Sequence, residues 1–66
     1  MLPHEERVVV EKNDLDEKLV KLQDFIENSR IFQALSEDDK ELLERQQVIM
    51  LDYSHVLSER ISGFIK

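Results

Sequence analysis

A chain of 66 residues with 15 Asp or Glu against 9 Lys or Arg, net charge −6, makes at most one domain. It lacks the basic footprint of an ordinary DNA-binding protein. A single core this small supplies only about 3–5 kcal/mol, so disulfides, a metal or oligomerisation usually support it. With no cysteine, and with His4 and His55 too far apart for a metal set, oligomerisation is the remaining route.

No apolar run approaches the roughly 20 residues of a membrane span, and no signal-peptide pattern opens the chain. One glycine and one proline leave little room for strands and turns. Pro3 suits the first turn of a helix, and Glu5 and Glu6 complement its positive end. Val8, Leu15, Leu19, Leu22 and Ile26 then share one face. Val8, Val9 and Val10 lower local helix propensity, and Asn13 with Asp16 resembles a capping box. The expectation is a helix from about Pro3 to Asn28, kinked or broken near Lys12 to Asp14.

Asn28-Ser29-Arg30 is the best turn candidate. Ile31, Phe32, Ala34 and Leu35 form a short apolar patch, at most one helical turn, that plugs the end of a hairpin. Ser36 is a strong N-cap followed by three acids. A second helix runs from about Glu37 to Ser62, with Gly63 as a C-terminal signal. At 1.5 Å per residue each long helix spans roughly 40 Å. The expected fold is all-α: one antiparallel two-helix hairpin domain, residues 1–66, assembling into a helical oligomer.

On the second helix Leu42, Leu43, Ile49, Met50, Val56, Leu57, Ile61 and Phe64 fill an apolar arc of about 140°, wider than one partner helix covers. Several hairpins would cover it, in closed symmetry. Gln46, Tyr53 and Arg60 fall inside that arc at heptad intervals. Arg60 offers a planar fork for phosphate and Tyr53 a stacking face. The plainer alternative pairs Arg60 with an acid across the hairpin or on a neighbouring chain and leaves Tyr53 in the core.

Arg7 and Lys18 stand three turns apart on one edge of the first helix, roughly 16 Å. A shared site would then draw on different chains; otherwise both snorkel at an interface. His4 would stack on a base or donate to a phosphate, or is an ordinary exposed histidine. The run Glu37-Asp38-Asp39 caps a helix and lacks the alternation and glycine of a calcium loop. No nucleophile–base pair, glycine-rich phosphate loop or metal motif is present, so no enzymatic activity and no cofactor are expected.

Three segments carry more than composition does: HEERVVVEKNDLDEKLVKLQDFI, FQALSEDDKELLERQQVIM and YSHVLSERI. Arg7, Glu11, Leu15, Lys18, Lys21, Leu22 and Phe25 fit R-V-[VI]-x-E-[KY]-x-x-L-x-x-K-[IL]-x-K-L-x-x-F. Phe32 and Leu35 follow, and Met50, Tyr53, Leu57, Arg60 and Ile61 fit the end of the second helix. In order and spacing the chain resembles the small phage anti-CBASS and anti-Thoeris sponge proteins, which sequester cyclic nucleotide signals of bacterial immunity. The resemblance covers His4 to Ile61.

It implies a hexamer of helical hairpins in the host bacterial cytoplasm, holding cyclic dinucleotides or trinucleotides intact between subunits. Some such proteins take cyclic ADP-ribose isomers. The dinucleotide lysine would be Lys18, and the trinucleotide arginine would be Arg60. The stacking aromatic would fall at or beside His4, where imidazole offers less area than Tyr or Trp. A competing reading makes the chain an oligomeric helical adaptor that binds a protein partner in a groove.

Overall fold

The computed structural model describes residues 1–64, in three helices: α1 (Pro3–Asn28), α2 (Arg30–Gln33) and α3 (Glu37–Ser62). At the start of α1 the Leu2 N–H donates to Glu5 Oε1 at 2.9 Å, with Pro3 at the first helical position. The helix then runs through Val8–Val10 and Lys12–Asp14 without a break. The break expected there is absent. The propensity penalty of a β-branched residue is a few tenths of a kcal/mol, and burial of Val8 outweighs it. The capping box at Asn13 is not used either: Asn13 lies inside the unbroken helix, and Asp16 bonds Lys12 on its own helix and Ser54 across the hairpin.

Ser29 ends α1 and opens α2. Its N–H donates to the Phe25 carbonyl at 3.1 Å, and its Oγ accepts from the Ile31 N–H at 3.1 Å. The one-turn plug is α2, where buried Phe32 stands edge-on to Phe25 with centroids 6.0 Å apart. Ile31, in the same turn, does not join the plug and is exposed to solvent. Ser36 caps α3 as expected, Oγ accepting from the Asp39 N–H at 3.2 Å. Gly63 follows the last turn at φ −69°, in the right-handed region, so the freedom peculiar to glycine is not drawn on there.

α1 and α3 pack antiparallel into a rod of about 47 × 14 × 14 Å. Along α3 and just past its end the inward line is Leu43, Gln47, Met50, Ser54, Leu57, Ile61 and Phe64, all buried or half-buried. Its alternating spacing of four and three is the seam of a coiled coil. Val8, Lys12, Leu15, Leu19, Leu22 and Ile26 answer it from α1. This corrects the broad arc: Leu42, Ile49 and Val56 remain 57%, 64% and 51% exposed. One partner helix covers a narrow seam, and α1 is the only long partner within the chain.

A polar cluster sits in mid-seam. Ser54, buried, donates from Oγ to Asp16 Oδ1 at 2.6 Å. Lys12 Nζ reaches Asp16 Oδ2 at 2.5 Å and Ser54 Oγ at 3.3 Å. Every member has a partner, so burying Ser54 carries no unsatisfied polar cost. A seam slip of one turn would break both contacts to Ser54, the two that cross between the helices, so the cluster specifies register.

Hydrogen bonds from Lys12 and then Ser54 hold the Asp16 carboxyl below its ordinary value of 3.8. A carboxylate depressed in the folded state contributes stability above that value and loses it as the pH falls through the folded pKa. Urea midpoints taken from about pH 5 down to about pH 2 should therefore fall more steeply for the native chain than for Asp16→Asn. Parallel slopes would mean that the cluster does not favour the ionised form.

Candidate ligand groove

The register places side chains as well as backbone. Ser54 faces inward, so Tyr53, rotated by about 100° on the helix, projects beside the seam and is 43% exposed. There it forms one wall of an open groove of about 460 Å³, whose other lining residues come from α1: Arg7, Val10, Glu11, Asp14, Leu15 and Lys18. Arg7, Glu11, Asp14 and Lys18 recur at spacings of four, three and four, which keeps them in one line along the helix.

Three of the residues singled out in the sequence, Arg7, Lys18 and Tyr53, thus meet in a single groove of one chain. Arg7 and Lys18, whose spacing suggests that a shared site draws on different chains, line one groove of a single chain. They stand at its two ends, and an elongated groove spans their separation. Tyr53 is not a core residue.

Arg60 and His4 lie beyond the groove walls. Ser54 opposite Lys12 and Asp16, and His4 against Phe64 at 6.4 Å and 81°, fix the antiparallel register. It brings Arg60 level with the turn of α1 that carries Arg7. Arg60 is exposed and, among the described residues, forms no ion pair. The pairing across the hairpin, expected on residue type alone, is not made. His4 is exposed, with its ring near the edge-to-face arrangement on Phe64.

The sequence reading missed Asp14 as a groove residue. Its signal was the four-three-four recurrence of charged residues from Arg7 to Lys18, which reads as an ordinary solvated face until Tyr53 is placed over it. Missed too was a second heptad line on α3: Leu42, Gln46, Ile49, Tyr53, Val56 and Arg60, all exposed. It lies one residue out of step with the buried seam. Leu42, Gln46 and Ile49, with Arg45 and Met50, also line a shallow groove of about 240 Å³.

Among the described residues no group of His, Cys, Asp or Glu is arranged to hold a metal, and no helix is long and apolar enough to cross a membrane. No curated protein and no solved structure matches the chain. A family model described as Sequestin matches residues 2–63, leaving out only Met1 and the last three positions. The chain therefore belongs to the Sequestin family.

Proposed function

We propose that this chain is a viral anti-defence sponge that binds cyclic di- or trinucleotide immune signals in the host bacterial cytoplasm and releases them unchanged. The observation that carries the reading is the meeting of Arg7, Lys18 and Tyr53 in one groove of an otherwise acidic chain. Arg7 offers a fork to phosphate oxygens, Lys18 a mobile point charge, and Tyr53 a face on which a base stacks. Arg60 adds a further cation beyond the Arg7 end. Membership of a family named for sequestration supports the same reading.

Function here is stoichiometric binding with no bond made or broken. The proposed assembly is a homo-oligomer, a hexamer on the resemblance above. The second heptad line of α3 supports self-association, since Leu42, Ile49 and Val56 alternate there with Gln46, Tyr53 and Arg60. Because Tyr53 belongs both to that line and to the groove, a hairpin seated there would wall the groove on its open side.

Isothermal titration with a panel of cyclic di- and trinucleotides tests the reading, with gel filtration alongside. The expected result is tight binding by an oligomer and recovery of intact ligand after heat denaturation. Recovery of cleaved nucleotide would overturn it. Silence across the panel would move the proposal to cyclic ADP-ribose isomers. Failure there would favour the adaptor reading, which the exposed Leu42, Ile49 and Val56 line also suits.

A further inference from the structure

We infer that α3 pairs with α3 of a second copy, antiparallel about a two-fold axis level with Leu51, so that Arg45 of each chain faces the partner's Glu59. This rests on the self-association proposed above and names its face and register. Leu42, Gln46, Ile49, Tyr53, Val56 and Arg60 are all exposed. Their line lies about a quarter turn round α3 from the seam that holds α1, so the hairpin itself leaves it open.

Along that line the spacing is four, three, four, three and four, which reads the same from either end. Two copies laid antiparallel therefore set every member against another: Ile49 against the partner's Tyr53, Gln46 against the partner's Val56, and Leu42 against the partner's Arg60. A two-fold makes each contact twice, as a self-complementary interface requires. Parallel pairing would instead set like on like, with Arg60 against the partner's Arg60 inside the interface, where unpaired charge is costly. In the antiparallel register Arg60 comes within one turn of the partner's Asp38 and the partner's Asp39, acids of the first turn of that helix.

The edge charges select the same register. Arg45, Asp52 and Glu59 recur at intervals of seven, along the edge of the line, where charges set orientation in paired helices. Antiparallel, Arg45 meets the partner's Glu59 on both sides of the axis, and the two Asp52 carboxylates form one like-charged pair at the axis. Parallel, that edge would face the partner's Met50 and the partner's Leu57, and no charge would be matched. Neither Arg45 nor Glu59 forms an ion pair among the described residues. The partner's Ile49 then backs Tyr53, so both chains hold the aromatic wall of the groove.

Sedimentation equilibrium of the full chain over a dilution series tests the register by exchanging charge. Arg45→Glu and Glu59→Arg should each raise the dissociation constant at least about tenfold at low salt, because each turns two attractive pairs into like-charged ones. The two substitutions together restore opposite charges across the axis and should bring the constant back to within about threefold of the native chain. Both positions are exposed, so the helical circular dichroism of all three variants should match the native chain.

Single variants that assemble as the native chain does, or a double variant no better than the singles, would overturn the antiparallel register and leave assembly through another face. A native chain that stays monomeric at every concentration would overturn the pairing and the proposed assembly together. Cyclic nucleotide binding by that monomer would still leave the sponge reading standing, since that reading falls only on its own titration.

Discussion

Leu57→Ala should leave the chain largely unfolded in dilute solution at 25 °C. Leu57 is the most buried side chain in the hairpin, at 0% exposure, and it sits one turn from the Ser54 cluster. Replacing such a leucine by alanine costs about 2–5 kcal/mol, part of it from the cavity left behind. A core of this size supplies only about 3–5 kcal/mol in all. The loss is thus comparable to the whole stability of an isolated hairpin. Circular dichroism at low micromolar concentration should show the helical signal reduced severalfold.

The control is Val20→Ala, a valine on α1 that is 63% exposed and lies off the seam, the groove and the second heptad line. Alanine is the better helix former, so the helical signal should hold. If Leu57→Ala keeps its helix only at high protein concentration, association between chains is supplying the missing stability, as mass action requires. A variant as stable as the native chain at every concentration would mean that the seam is not where the hairpin is held together.

Much of this fold was legible because its signals are local. Pro3, Ser36 and the acids after each mark where the two long helices begin, and the structure starts them there. Ser29 as the turn and Phe32 as the plug were legible for the same reason. Packing was harder to read. Leu42 and Leu43 look alike in sequence, but only Leu43 joins the seam. Which neighbour turns inward depends on α1, and the choice is fixed by contacts such as Ser54 with Asp16, 38 residues apart.

The site divides the same way. Arg7 and Lys18 could be named from their place on α1, but their joining with Tyr53 depends on the rotation of α3. Ser54 illustrates the limit. A serine among leucines on a wheel reads as a flaw in the apolar face, until its partners Lys12 and Asp16 arrive from the other helix. Its neighbour Tyr53 then leaves the core and becomes a wall of the groove.

On the proposed function, Arg7→Ala and Lys18→Ala should each weaken binding of a cyclic dinucleotide by about ten- to a hundredfold. Each removes hydrogen bonds to a charged group, worth about 1.5–3 kcal/mol, and about 1.4 kcal/mol corresponds to tenfold. Both side chains are exposed and unpaired in the chain among the described residues, so folding should be untouched. Arg7→Lys separates shape from charge. It keeps the cation but loses the fork, and should recover only part of the affinity.

Arg60→Ala completes the set. Arg60 stands level with Arg7 but outside the groove walls, so its loss should affect a dinucleotide held along Arg7, Tyr53 and Lys18 less than Arg7→Ala does. A larger ligand reaching past that end, such as a trinucleotide, should feel it more. If instead Arg7→Ala and Lys18→Ala bind as the native chain does while Arg60→Ala fails, the ligand sits on the second heptad line. That face, with Tyr53 at its centre, would then be the place where copies of the hairpin and their nucleotide come together.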